Sequence, residues 1–160
     1  SMLNCRIDGL KKYSPKRFVI DKNLSIPVTS KIIRTANKIK TYIFYNLIDN
    51  IKLKKLKQLK VIAIRIDLKN NHLDFDKIIL FLRNKGFYRV FVEAGIEFNN
   101  FLLENNYIND FYHFYSDELF GYKGFHNAKF FFNKMNKIMR DKKEIKINLF
   151  QDKLIKYLLK

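Results

Sequence analysis

Apolar and polar positions alternate along this chain in blocks short enough for strands and, in places, at helical spacing. Lys16 to Ile20, Thr41 to Tyr45 and Val61 to Ile66 are β-branched or aromatic runs bounded by polar turns, and each reads as a strand. Between the first two, Ser30 to Lys40 reads as a short helix or an irregular crossover. Leu47 to Lys60, with Lys52, Lys54, Lys55, Lys57 and Lys60, reads as a surface hairpin or linker, with a nucleic-acid site as the sharper reading. Phe75, Ile78, Ile79 and Leu82 then occupy i, i+3, i+4 and i+7 behind Asp74, an N-cap candidate, with Gly86 as the stop. That spacing predicts an amphipathic helix with Ile79 on its buried face. Tyr88 to Glu93 reads as a buried strand. A helix from about Glu97 to Asn105 follows, and then a strand from about Asp110 to Tyr115. Phe130 to Met139 reads as helical. Glu144 to Phe150 and Lys153 to Leu159 read as an antiparallel hairpin across Gln151-Asp152, although Leu154 to Leu159 also fits the end of a helix.

Strands alternating with helices imply an α/β domain of parallel neighbours joined by right-handed crossovers. In such a sheet the ligand crevice lies beyond the carboxyl ends of the strands. Val92-Glu-Ala-Gly95 marks that point, because an apolar run ends there, Ala94-Gly95 permits a tight turn, and Phe98, Phe101 and Leu102 open a helix. Amides at a helix start lack intrahelical partners and sit at the positive end of the dipole, so they can receive a phosphate. Glu93 would face the same crevice. The plainer alternative is that Gly95 only turns the chain and Glu93 caps amides in a solvated loop.

Composition narrows the function classes. The 160 residues suit one globular domain spanning 1–160, with 48% apolar and 16% aromatic residues. A formal charge of +17 points to a polyanion, but 25 Lys against 7 Arg, together with abundant Ile, Asn, Phe and Tyr, is the drift expected of AT-rich coding. No apolar run is long enough to span a membrane and no leader is evident, so a cytoplasmic protein is expected. Cys5 stands alone, which rules out an internal disulfide and a multi-cysteine metal site. His72, His113 and His126 are far apart with no ligand spacing, so no metal site is expected. No nucleophile triad, Walker motif or G-x-G-x-x-G pattern is present, and an enzyme built from this chain would work through a cofactor and positioning.

An ordered series of short motifs carries a further signal: Leu3-Asn-Cys-Arg-Ile-Asp-Gly-Leu10, Ser14-Pro-Lys-Arg-Phe-Val-Ile-Asp21 with Leu24-Ser-Ile-Pro27, Val92-Glu-Ala-Gly95 with Phe101-Leu102, Asn109-Asp110 and Leu119-Phe-Gly121. In this order and spacing the chain resembles the reductase half of the bifunctional riboflavin-biosynthesis deaminase/reductase family. The resemblance implies a dihydrofolate-reductase-like, mostly parallel central sheet flanked by helices, with the C-terminal hairpin antiparallel. It also implies NADPH-dependent reduction of 5-amino-6-(5-phosphoribosylamino)uracil to its ribitylamino form, and a homodimer with apolar surface on Asp110 to Tyr115. By position, Leu3, Arg6 and Glu93 match substrate contacts, with Arg6 the phosphate partner. Lys22 and Gly95, Ile96, Glu97, Phe98, Asn99, Asn100 and Phe101 match cofactor contacts. Ala94 stands where the family commonly has Gly, and Glu97-Phe98 where it has Thr-Leu. Relative to the family, the deaminase half and the opening segment of the reductase domain are expected to be missing, which makes a partial fragment of reduced activity the expectation. Neither membrane nor nucleic acid is an expected partner under this reading. The second reading is a basic, aromatic nucleic-acid-binding module on a relic reductase fold, with Tyr and Phe among basic residues suiting single strands.

Overall fold

Arg17–Ile20 (β1), Thr41–Tyr45 (β2) and Ile62–Arg65 (β3) form a parallel sheet in the order β1-β2-β3 in the computed structural model, which describes residues 2–116, 128–147 and 150–159. His126 and Leu119-Phe-Gly121 lie outside those residues. The chain divides into two units, Ser1–Val90 and Phe91–Lys160, each with its own core.

In the first unit β2 is central and all five of its residues are buried. Side chains alternate across a strand, so its two faces need separate covers. Ile43 and Tyr45 pack with Ile32 and Ile33 of Lys31–Arg34 (α1), Leu56 of Asn50–Gln58 (α2), Leu24, Ala36 and Val61. Phe44 packs on the other side with Ile66, Leu73, and Ile78 and Leu82 of Phe75–Asn84 (α3). α1 and α2 are thus the two crossovers, both on one face, and α3 covers the opposite face. Leu68–Lys69 (β4) and His72–Leu73 (β5) make a two-residue hairpin between β3 and α3, with Asn70 and Asn71 both at positive φ (51° and 61°) as its turn geometry requires.

Residues 47–60 depart from expectation: α2 is a helix, not a hairpin or linker. Its repeated lysines hide the apolar phase. Leu56 is buried and Leu53 and Leu59 pack beside it, which suffices once Asp49 caps the start by accepting from the Lys52 amide. α3 forms as expected, with the Asp74 carboxylate accepting from the Asp76 and Lys77 amides. It ends in a Schellman closure, in which the Gly86 amide donates to Arg83 O and the Phe87 amide to Leu82 O, with Gly86 at φ 80°. Ile79 is a correction. It is 40% exposed, because Phe81, stacked edge-on against Phe44 and Tyr42, turns the inward arc toward Phe75, Ile78, Phe81 and Leu82.

In the second unit Ile96–Glu104 (α4) and Lys129–Ile138 (α5) pack through Leu103, Phe131 and Met135 on a sheet that supplies Tyr157. Asp110–Tyr115 (β6), Asp141–Ile145 (β7) and Lys153–Leu158 (β8) are ordered β6-β8-β7, antiparallel throughout. The C-terminal hairpin is present, with Ile145 opposite Leu154, so its connection is longer than Gln151-Asp152. β6 is not a parallel neighbour, because its partner is the return strand of that hairpin. The expected strand Tyr88 to Glu93 does not form. Residues 87–95 carry no regular structure, and Tyr88, Val90, Phe91 and Val92 are exposed. A strand is stabilised by a neighbour that accepts its ladder, and none of the described strands pairs with this run.

Candidate functional site

The N-terminal arm is held by a residue that sequence reasoning passed over. Arg17 opens β1 in phase with Val19, so its side chain enters the α1/α2 side of the sheet, where it is 1% exposed. Among the described residues no carboxylate forms an ion pair with it. Instead Nε donates to Thr41 Oγ1 (3.0 Å), Nη2 to Ile32 O (2.8 Å), Ile39 O (3.1 Å) and Thr41 Oγ1 (2.7 Å), and Nη1 to Thr35 Oγ1 (2.9 Å) and Met2 O (3.2 Å). Burial pulls its pKa below the ordinary value. The contact with Met2 O fixes the backbone just before Leu3, which sits at φ 45° and packs against the α1/α2 core. The Cys5 amide donates to Ser14 Oγ (3.2 Å), closing the arm into a loop. Arg6, on that loop, is exposed.

At the carboxyl end of β1 the chain turns through Asp21, whose buried carboxylate accepts from the Ser25 amide and hydroxyl and the Ile26 amide, each at 2.8 Å. This turn presents Lys22, whose Nζ donates to Asn71 O (2.8 Å) and Asn71 Oδ1 (3.2 Å) of the β4–β5 hairpin. The Asn46 and Leu47 amides both donate to Lys22 O, and Asn46 Nδ2 donates to Ile66 O (2.9 Å), so the ends of all three parallel strands are laced together. Neither Asn46 nor Asn71 was singled out from sequence. The Asn-Asn pair between two short apolar runs is the turn signal that could have found the second.

The second group of expected site residues is contiguous in the second unit. Gly95 is the N-cap of α4 with extended backbone and, as a glycine, brings no capping side chain of its own. The first-turn amides lie at the positive end of the helix. Glu97 is exposed in that turn, Asn99 Nδ2 donates to Ala94 O (3.1 Å), and Phe98 stacks on Phe101 at 5.8 Å. Asn100 Oδ1 is a buried oxygen that accepts no hydrogen bond from any described residue. Ile96 packs into the unit's core, and Glu93 is exposed in the irregular segment before the turn. The structure thus gathers Gly95 through Phe101 at one helix start, with Glu93 just upstream, and sets Leu3, Arg6 and Lys22 within the first unit.

Residues 1–129 match the family described as the RibD C-terminal domain. The chain belongs to that family. All of the expected site residues fall inside the matched stretch, in keeping with the motif series read above. Two solved structures of Acinetobacter baumannii RibD, forms 2 and 1, superpose with TM-scores of 0.69 and 0.66 at 20% identity, covering 100% and 97% of this chain and 43% and 40% of theirs. A pyrimidine reductase-like protein from Corynebacterium diphtheriae gives a TM-score of 0.62 at 10% identity, over 92% of this chain and 62% of that one. The chain spans about two fifths of the length of the RibD structures it matches. A search of curated proteins finds no match. The fold is the mixed α/β, dihydrofolate-reductase-like fold of RibD reductase domains. Among the described residues no helix is long and apolar enough to cross a membrane.

Proposed function

We propose that this chain is the reductase part of a riboflavin-pathway enzyme, which reduces 5-amino-6-(5-phosphoribosylamino)uracil to the ribitylamino form with NADPH. The observation that carries this reading is the family match over residues 1–129, which includes each expected contact residue. The start of α4 fits a nucleotide cofactor, since its first-turn amides stand at the positive end of the helix and Asn100 Oδ1 lacks a donor that a bound ligand could bring. When bound, NADPH supplies hydride to C1′ of the opened sugar. The chain's own groups bind and orient. The α4 amides and Lys22 would hold the cofactor, with Gly95, Ile96, Glu97, Phe98, Asn99, Asn100 and Phe101 lining it. Leu3 would pack on the substrate, Arg6 would grip its phosphate through a guanidinium fork, and Glu93 would stabilise cationic character developing at C1′. Residues 1–160 act as a single reductase-like domain, in a cytoplasmic homodimer. The test is calorimetry with NADPH and with the aminouracil ribotide, followed by single-turnover NADPH oxidation. Binding of both, with Arg6→Ala weakening substrate binding about ten- to a hundredfold, is the expected result. Failure of both ligands to bind overturns the proposal.

A further inference from the structure

The lysines of this chain are spread evenly, but its acids are not. Residues 1–90 hold 15 Lys and residues 91–160 hold 10, whereas Asp and Glu number 6 in the first segment, none of them Glu, and 9 in the shorter second. With arginines included, the first unit is +15 and the second +2. Coding drift explains abundant lysine in both halves. It does not explain where the acids are missing.

The fold sharpens this asymmetry into two different faces of the same sheet. Over α3 and the hairpin, Asp67 pairs with Lys77 (2.5 Å) and Asp76 with Lys69 (3.0 Å), and Asp74 caps the helix. From Lys22 to Ile66 there are 11 Lys and Arg against one acid, Asp49, and that carboxylate is engaged at the start of α2. Lys22 reaches Asn71 of the hairpin, Lys40 lies over the Tyr42 ring and Arg65 ends β3, but α1 and α2, with their connections, carry the others on the opposite side of the sheet. Lys31, Arg34, Lys38, Lys54, Lys55 and Lys57 are all exposed, and none has a carboxylate within ion-pair distance among the described residues. Like charges held this close without counter-charges destabilise a surface unless a partner supplies the anions.

We propose that the outer surface of α1 and α2 binds the phosphodiester backbone of duplex nucleic acid, without reading its sequence and independently of the reductase site. A duplex is favoured over a single strand because the first unit's aromatic cluster is not on this surface. Phe18, Tyr42, Phe44, Phe81 and Phe87 pack against one another on the α3 side, so no stacking platform accompanies the lysines. A lipid surface is disfavoured because exposed apolar residues are not concentrated on this face. Leu47 and Ile48 just before α2, and Ile51 in its first turn, are exposed, but so are Ile7, Leu10, Ile20, Ile79 and Leu80 elsewhere in the unit. Charge is what distinguishes the α1/α2 surface.

The experiment is fluorescence anisotropy of the full chain with a short DNA duplex of arbitrary sequence, titrated between about 50 and 200 mM salt. Affinity should fall log-linearly with salt, with a slope of about −0.9 per phosphate contacted. The triple variant Lys54→Glu, Lys55→Glu, Lys57→Glu, whose sites are exposed, should keep the wild-type melting temperature, bind at least about tenfold more weakly and flatten the slope by about 2 to 3. The matched triple Lys69→Glu, Arg83→Glu, Lys85→Glu removes the same charge from the α3 side and should stay within about twofold of wild type. Equal losses in the two triples would show that net charge alone is responsible and overturn the proposal. So would tighter binding to a single strand of the same length, or binding to phosphatidylserine-containing vesicles with none to the duplex.

Discussion

Truncating Ile78 to Ala tests how α3 meets the sheet. Ile78 is 1% exposed, among Phe44, Ile66, Leu73 and Leu82, while its neighbour Ile79 is 40% exposed. The substitution removes three carbons, and at about 0.8 kcal/mol for each buried methylene the transfer loss is roughly 2.4 kcal/mol. The cavity left in a cluster walled by Phe44 and further aromatic rings raises this to about 3–4 kcal/mol, inside the usual span of about 2–5 for such truncations. The same change at Ile79 should cost less than about 1 kcal/mol, because much of that side chain already meets water. Against a total stability of about 5–15 kcal/mol, the first loss is large and the second marginal.

Urea unfolding followed by circular dichroism separates the two. The Ile78→Ala midpoint should move far below wild type with little change in slope, and the Ile79→Ala midpoint should barely move. Aspartate makes the contrast sharper: an unpaired charge at position 78 should prevent folding, whereas Ile79→Asp should remain soluble and folded. Equal midpoints for the two alanine variants, or a greater loss at Ile79, would refute the packing assignment.

Arg17→Met should cost at least about 3 kcal/mol in urea midpoint, because several carbonyls and hydroxyls lose their donor, and Arg17→Lys should recover only part, since an ammonium has fewer donors than the guanidinium fork. Near-wild-type stability of the methionine variant would show that the network is incidental. Glu97→Gln should tighten NADPH binding about two- to fivefold by calorimetry, since it removes a negative charge beside the α4 amides; weaker binding would place the phosphates elsewhere. Burial lowers the His113 pKa, so as pH falls through the ordinary histidine range the unfolded chain takes a proton that the folded chain refuses, and stability declines there while it is flat above. His113→Phe should remove that slope between about pH 7.5 and 5.5, and an unchanged slope would mean other groups set it. Lys60 closes α2 at φ 65°, with the Val61 amide donating to Leu56 O, so Lys60→Gly should raise stability by about 0.5–1 kcal/mol in the same urea assay, and a loss would contradict the assigned backbone.

Elements whose signals are local were legible in the sequence. Asp74 and Gly86 bracket α3 because an N-cap oxygen and a left-handed closing residue are demanded by the helix ends themselves, whatever the helix packs on. β1, β2 and β3 were legible for a similar reason, since β-branched and aromatic runs between polar turns have few other stable uses. What depends on a distant partner was not legible. Tyr88 to Glu93 has the same local pattern as β3, yet a strand exists only where another offers its ladder. α2 shows the converse: its lysines masked a helix that needs only Leu56 and two flanking leucines to anchor it, because α1 and the sheet already supply the rest of the core.

The candidate site divides along the same line. Gly95 at a helix start could be read directly, because glycine is favoured at the residue that caps a helix, although its φ of −69° and open surroundings would admit a side chain. Arg17 could not be read that way, since an arginine in a strand usually marks the solvent face. Its signal is only visible jointly: it is in phase with Val19, and Thr35 and Thr41 lie where their hydroxyls can accept from an inward guanidinium. With no carboxylate among the described residues to neutralise it, the guanidinium is stable there only if nearly every donor finds an oxygen, and the arm carbonyl of Met2 is one of those oxygens. The same requirement that keeps Arg17 in the core therefore holds the arm bearing Leu3 and Arg6 against the first unit, linking a packing residue to the residues assigned to substrate without any contact of its own with the ligand.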